Sequence, residues 1–298
     1  MLENQKDDGR DVIKVDYDAQ NRIIKAYYYN DGSSTNTLDY TSEYTYNADG
    51  RIIKKIDRDA GVNSTGYSLY EYNAAGKLTA EKIYYINGTL KEQEEYLYDN
   101  MNRLIRENQY YLQSQTNLLV LSSWHTRWEY TGNDNKPSRM ITVTIQGSSY
   151  SDITYDANDN ITKISGYSNI QSSDSSNYVH YIDILRTFDT KKSALISFSG
   201  LSPVAVGNML LLDNNSINSG GHSTYNIIGT GSITPNGIIG KNNVLTMVET
   251  QYPWGSFPGS TKTTTYNYEF DANGNPIKQT VLPTSGDLKN YTFTYRCY

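Results

Sequence analysis

Between Lys77 and Ile86 the chain alternates. Leu78, Ala80, Lys82, Tyr84 and Ile86 fall on one face of an extended strand, and Lys77, Thr79, Glu81, Ile83 and Tyr85 on the other. Arg139 to Gly147 does the same, placing Ile141, Val143 and Ile145 opposite Thr142, Thr144 and Gln146. A period of two over runs of about ten residues predicts β-strands with one wet face. One stretch departs from the pattern: Ser202-Pro203 can supply an N-cap and a first helical residue, predicting a short helix over 203–212 that ends before Asp213-Asn214-Asn215. So short an apolar helix has to bury itself, and it would plug the concave side or open end of a sheet. Asn214 to Gly240, rich in Asn, Ser and Gly, reads as loops with short strands.

The strands are punctuated by a recurring turn. Its copies are Tyr17-Asp-Ala-Gln-Asn-Arg22, Tyr46-Asn-Ala-Asp-Gly-Arg51, Tyr72-Asn-Ala-Ala-Gly-Lys77, Tyr98-Asp-Asn-Met-Asn-Arg103, Tyr155-Asp-Ala-Asn-Asp-Asn160 and Phe270-Asp-Ala-Asn-Gly-Asn275, with looser versions at Tyr130 and Phe188. The tyrosines from 17 to 155 recur every 25 to 32 residues, a period that signals repeated supersecondary units. Asp or Asn can bond its own backbone two residues on, and Gly or Asn later in the turn accepts positive φ, so each unit is a β-hairpin. Asn87-Gly88 supplies a tight return turn at the other end. The fold class predicted is all-β: a long antiparallel meander, barrel-like or strongly curled, with one short helix. A single repeat-built domain over 1–298 is expected, with regular hairpins over about 11–188, an insertion over 194–240 and closing strands over 243–298.

Composition refines this. Tyrosine occurs 29 times while hydrophobic residues make up only 37% of the chain, so the core must use rings with polar tips. Lys plus Arg number 26 and Asp plus Glu 32, mixed along the chain with no basic stripe, which excludes nucleic acid as a partner. Strands of ten residues also suit a membrane barrel, whose outer band must be apolar for about 25 Å. Lys54, Glu81, Lys82, Arg106 and Glu107 fall mid-strand, so a meander with one side in water is the better reading. Ala194 to Leu212 is too interrupted by Ser, Gly and Pro to span a membrane as a helix.

No constellation announces chemistry. Asp271-x-Asn273-x-Asn275 and Asp156-x-Asn158-x-Asn160 imitate the opening of a calcium loop, but the sixth and twelfth positions are wrong, so turn chemistry is preferred and no metal is expected. His125, His180 and His222 are scattered, and Ser223 lacks the second glycine of a nucleophile elbow. No catalytic residue and no cofactor is expected, and Cys297 has no cysteine partner. A carboxylate pair such as Glu94 with Glu129 is conceivable, yet nothing picks it out. Trp124, Thr126, Trp128 and Tyr130 share a strand face and read as core. Tyr252, Trp254 and Phe257 lie in a Gly/Pro-rich loop and are the candidate ligand-binding residues.

At the level of these motifs, the Tyr-Asp turns followed by Ile or Leu resemble the Tyr-Asp (YD/RHS-type) repeats of large bacterial toxin shells. The turns, the closing Phe270-Asp-Ala-Asn-Gly-Asn-Pro-Ile-Lys278 and the alternating strand Tyr291-Thr-Phe-Thr-Tyr-Arg-Cys-Tyr298 together resemble a Bacteroides-type family of domain-of-unknown-function surface lipoproteins with a porin-like fold. That resemblance implies an exported protein of a Gram-negative cell envelope, lipid-anchored in its precursor. The start of this sequence shows neither a signal segment nor a lipid-bearing Cys.

The expectation is therefore a non-enzymatic envelope protein binding glycan, lipid or a protein partner. The alternatives are a polysaccharide-acting hydrolase with a carboxylate pair, and a barrel carrying a hydrophobic ligand.

Overall fold

The computed structural model describes residues 2–7, 10–29, 37–59, 64–113, 115–145, 147–169, 177–193, 205–206, 209–211, 238–239, 242–253, 258–286 and 288–295. All regular structure among them is β. The strands are β1 (Leu2–Asp7), β2 (Arg10–Tyr17), β3 (Ile23–Tyr29), β4 (Leu38–Tyr46), β5 (Ile52–Asp59), β6 (Ser64–Tyr72) and β7 (Leu78–Tyr85). They continue as β8 (Leu90–Tyr98), β9 (Leu104–Gln113), β10 (Leu118–Tyr130), β11 (Pro137–Thr144), β12 (Gly147–Tyr155), β13 (Ile161–Ser168) and β14 (Val179–Lys192). Three short strands follow, β15 (Ala205–Val206), β16 (Met209–Leu211) and β17 (Ile238–Ile239). The closing strands are β18 (Asn242–Gln251), β19 (Ser260–Phe270), β20 (Pro276–Pro283) and β21 (Lys289–Tyr295).

Strands β2–β14 and β18–β21 form one uninterrupted antiparallel meander, each paired with the next in sequence. Strand β1 pairs with β2 along one edge and with β21 along the other, so both ends of the meander have a hydrogen-bonded neighbour. The short helix expected near 203–212 is not found. Ala205–Val206 and Met209–Leu211 are instead antiparallel strands in the register Val206↔Met209, and β16 pairs on with β17. Two residues, Gly207-Asn208, separate the paired strands, a combination that favours a hairpin over a helix interior.

The recurring turn does more than reverse the chain. Its fifth residue has positive φ in six copies, at Asn21, Gly50, Gly76, Asn102, Asp159 and Gly274. The Asx at its second position accepts backbone N–H bonds two and four residues on, as Asp99 Oδ1 does from Met101 and Arg103 at 2.9 Å. Each hairpin is then fastened to the one before it. The hydroxyls of Tyr46, Tyr72, Tyr98 and Tyr130 donate to the carbonyls of Ile23, Ile52, Leu78 and Leu104 at 2.6 to 2.8 Å. Burial pushes these four phenols up to about 12, so they stay donors throughout the physiological range. The basic sixth residue stacks on the same ring, with Arg22 over Tyr46 at 4.6 Å and Arg103 over Tyr130 at 4.5 Å. The recurring spacing of Tyr, Asx, Gly/Asn and Arg is thus an interlock between successive repeats.

A β-bulge follows every one of these turns, because Tyr17 faces Ile23 while Asp16 faces Lys25, and likewise in the other copies. One extra residue shifts the alternation. Leu78 consequently shares the inner face with Glu81, Ile83 and Tyr85 rather than with Lys82 and Tyr84, which correct the simple two-face reading of Lys77 to Ile86. Ile141 and Val143 lie on the outer face with Arg127 and Tyr150, and Thr142 on the inner one.

The inner face holds the core, including Ile23, Ala26, Ile52, Leu78, Tyr96, Leu104, Trp128, Ile164 and Ile184. The outer face carries cross-strand ion pairs: Lys25–Glu43 at 3.1 Å, Arg58–Glu43 at 3.3 Å, Arg139–Asp152 at 2.6 Å and Lys278–Glu269 at 2.8 Å. A lipid-facing Lys or Arg at mid-height costs about 2–4 kcal/mol, so this belt suits water. Among the described residues no helix is long and apolar enough to cross a membrane.

Candidate functional site

The two rims of the meander differ. The Tyr-Asx turns line one, and the other is formed by the opposite hairpin ends. Going inward from that second rim along β7–β10, the inner face opens on exposed apolar groups: Tyr85 at 46%, Tyr111 at 48% and Leu118 at 63% of their surface. Beneath them the wall turns acidic. Glu92 stands directly opposite Tyr111 and Ile83, Glu94 opposite Glu81 and Gln109, and Glu107 opposite Tyr96 and Thr126. Residues facing each other across antiparallel strands share a face, so all these carboxyls line one wall. Glu92, Glu94 and Glu107 are buried.

The partners of these acids come from the same wall. The Tyr96 hydroxyl donates to Glu94 Oε2 at 2.6 Å and the Tyr70 hydroxyl to Glu81 Oε1 at 3.0 Å. Lys91 Nζ lies 3.2 Å from Glu92. Glu107 is held well above the usual carboxylate range, first by burial and then by the charges of Glu94 and Glu81. Its Oε2 is buried without a hydrogen-bond partner, and so is the indole Nε1 of Trp128 on the adjacent strand. An unpaired acceptor and an unpaired donor therefore lie close in the register, since Glu107 faces Thr126, two residues before Trp128. Further round, Lys55 and Asp57 pair at 3.3 Å, and Ser42 Oγ donates to Asp57 at 2.5 Å.

A second arrangement lies on the outer face. Arg139 stacks over Tyr150 at 4.4 Å, Tyr150 on Tyr167 at 4.7 Å, Tyr167 on His180 at 4.6 Å and His180 on Tyr252 at 4.2 Å. Asp183 anchors the row, accepting from the Tyr252 hydroxyl at 3.1 Å and lying 3.0 Å from His180 Nε2. Burial pushes the Asp183 carboxyl up, but hydrogen bonds from Ser165, His180 and Tyr252 outweigh it and hold the group below its ordinary value. The ring faces within the row cover one another, so it offers edges and hydroxyls more than stacking surfaces.

Of the ligand-binding residues expected from sequence, Tyr252 stands at the end of this outer row, while Trp254 and Phe257 lie outside the described residues, as does Ser223. Glu94 and Glu129 are not brought together: Glu94 is on the inner wall and Glu129 faces Arg139 on the outer one. Trp128 is core, as expected, but Trp124 is exposed. Asp271 closes a turn, its Oδ1 accepting from the Asn273 and Asn275 amides at 2.9 and 2.8 Å. Sequence reasoning missed the acidic wall. The signal was present in the repeat alignment, where Lys55, Glu81 and Glu107 each fall nine residues after a motif tyrosine.

No protein-family model matches the chain, and no curated protein matches it. Solved structures resemble it at low identity. A porin-like protein from Bacteroides uniformis ATCC 8492 is 11% identical with a TM-score of 0.41, over 95% of this chain and 89% of that one. A porin-like protein from Bacteroides vulgatus ATCC 8482 is 10% identical with a TM-score of 0.36, over 99% and 98%. A DUF3836 family protein from Parabacteroides distasonis ATCC 8503 is 15% identical with a TM-score of 0.21, over 38% of this chain and 94% of that one. The chain is similar to these β-proteins from the Bacteroides group in the distant course of its fold alone.

Proposed function

We propose that the protein is a non-enzymatic cell-envelope binding protein whose inner wall along β7–β10 takes a glycan. The observation that carries this is an exposed aromatic mouth, Tyr85 and Tyr111, set above a row of buried carboxylates. Open rings supply apolar faces for a sugar, and fixed carboxylates accept its hydroxyls, the pairing that small polar ligands require of a pocket. The envelope setting follows from the resemblance of the turns and the closing strand to surface lipoproteins. A hydrophobic cargo fits this wall less well, because an apolar ligand gives the unpaired Oε2 of Glu107 no hydrogen bond.

Glycan arrays followed by calorimetry test the reading. Binding is expected, weakened at least tenfold by Tyr111→Ala or Tyr85→Ala and left intact by Tyr252→Ala. Blank arrays, or loss only with Tyr252→Ala, would overturn it, the latter moving the site to the outer row.

One observation favours a hydrolase as second reading: burial and the neighbouring Glu94 and Glu81 raise the Glu107 carboxyl well above the ordinary carboxylate range, the direction a general acid needs. Reducing-sugar release abolished by Glu107→Gln, with binding retained, would establish it.

A further inference from the structure

Strand β14 places an arginine on the inner face of the sheet. Ile184 faces Ile164 of β13, and Arg186, two residues on, faces Met247 of β18, which packs against the core. The row continues through Thr264 of β19, opposite Met247, and Tyr266 lies two residues beyond Thr264 on the same face. Arg186 is therefore set deep in the fold, and burial lowers its guanidinium below the ordinary arginine range. It stays charged all the same, because arginine does not give up its proton in proteins. On the outer face such charges are matched, Arg58 lying 3.3 Å from Glu43 and Arg139 2.6 Å from Asp152. Arg186 has neither an ion pair nor a hydrogen bond among the described residues. Glu249, the nearest acid in the register, faces Ile184, accepts from Gln251 Nε2 at 2.8 Å and has Lys262 directly opposite. Asp183 belongs to the outer row, and β13 contributes the core residues Ile161 and Ile164. A charge taken into a fold without a counter-charge is costly, so the position calls for an anion. The space is reachable. Arg186 is partly exposed, and neither its guanidinium nor the Tyr266 hydroxyl is sealed in as Tyr28 Oη and Trp128 Nε1 are. Tyr266 shares that space, since burial pushes its phenol up and the Arg186 charge draws it back.

We propose that Arg186 and Tyr266 form an anion site separate from the wall of β7–β10, and that its ligand is a monocarboxylate. The guanidinium fork matches both carboxylate oxygens, the Tyr266 hydroxyl donates to one of them, and Met247 offers an apolar side to the rest of the ligand. The charge of the ligand follows from the count of its surroundings. One arginine offsets one negative charge, whereas a phosphate carrying nearly two would bring the excess next to Glu249. The carboxylate can belong to a free organic acid or to a uronic acid of a glycan.

Calorimetry of the full chain at about pH 7, where carboxylates are ionised, compares butyrate with butyramide and glucuronate with glucose, with inorganic phosphate as a further probe. At least one carboxylate should bind about tenfold or more tightly than its neutral counterpart, the advantage of a charge-assisted bond. Butyrate alone assigns a free acid, and glucuronate alone a sugar acid. Arg186→Lys keeps the charge but not the fork and should weaken that binding about tenfold, and Tyr266→Phe should weaken it by a smaller factor. A second measurement needs no ligand. Arg186→Met removes an uncompensated charge from the fold and should raise the urea midpoint. A lowered midpoint shows that the arginine is already paired and overturns the proposal. Carboxylates that bind no better than their neutral counterparts, or whose binding survives Arg186→Met, overturn it as well. Phosphate binding more tightly than both carboxylates overturns the monocarboxylate in favour of a dianion.

Discussion

Tyr130→Phe isolates a single link between repeats. The lost hydroxyl donates to Leu104 O at 2.7 Å, while the ring and its contact with Arg103 at 4.5 Å remain. A hydrogen bond of this kind contributes about 1 kcal/mol net. Leu104 is only 3% exposed, so its carbonyl is left short of a partner that water cannot easily replace, which raises the expected loss to about 1–2.5 kcal/mol. In a chain of this size about 2 °C of melting temperature goes with each kcal/mol, so a fall of about 2–5 °C is expected. Urea unfolding and calorimetry, each with Tyr111→Phe as control, measure it. Tyr111 is half exposed, and removing its hydroxyl should stay within about 0.5 kcal/mol. Arg103 meets the same junction from the other side, donating to Gly132 O at 2.8 Å, Asp134 O at 2.9 Å and Asp99 Oδ2 at 2.7 Å. Arg103→Met combined with Tyr130→Phe should therefore lose a different amount from the sum of the two single changes. If Tyr130→Phe behaves like Tyr111→Phe, the interlock is ornament and the repeat spacing needs another cause.

Glu107→Gln tests the acidic wall through pH. Its carboxyl keeps a proton in the folded state to a higher pH than when unfolded, so its contribution is full below the ordinary Glu value, is lost as pH rises through the folded value, and then levels. The substitution should raise the urea midpoint at neutral pH and flatten that decline; an unchanged pH profile would show that Glu107 is not held protonated. Gly66→Ala places a Cβ 2.3 Å from the backbone oxygen of Tyr84, which cannot swing aside, so a loss of about 2 kcal/mol or more is expected by urea unfolding. Gly76→Ala at φ +76° meets the movable Arg51 guanidinium, and about 1–2 kcal/mol from the backbone alone is expected in the same measurement. Equal costs at the two positions would contradict the distinction between rigid and yielding neighbours.

The hairpins were legible because turn chemistry is local. Asp18, Asn47, Asn73, Asp99, Asp156 and Asp271 each satisfy their own turn, so five or six residues suffice to predict it. The short helix was misread for a related reason: Ser202-Pro203 is a good start signal, but Gly207-Asn208 is a better hairpin signal, and pairing of β16 with β17 adds what a sequence window cannot contain. Of the candidate ligand residues, Tyr252 was found without its setting. The stack from Arg139 to Tyr252 draws on four strands and the residue that follows β18, more than a hundred residues apart at its ends, and no local pattern encodes it.

The acidic wall was hidden by one residue per repeat. Strict alternation puts Glu81 and Glu107 opposite Leu78 and Leu104, on the wet side; the bulge after each turn brings them to the same side. Once the bulge is allowed for, the residue nine or ten positions after each motif tyrosine faces the one two before it. The pairs are Val15↔Ala26, Tyr44↔Lys55, Tyr70↔Glu81, Tyr96↔Glu107, Trp128↔Met140 and Ile153↔Ile164. Where the later residue is aliphatic its partner is aliphatic or Trp, and where it is charged its partner is tyrosine, the large apolar side chain that also carries a hydroxyl. That matching is what a buried charge requires, since an aliphatic partner would leave it with no polar neighbour on its own hairpin. Of these six positions the ionisable ones fall in three consecutive hairpins, each with a tyrosine opposite, while the other three are built as ordinary core. A wall so divided is specialised in one sector, and the exposed rings above that sector mark the side from which it is reached.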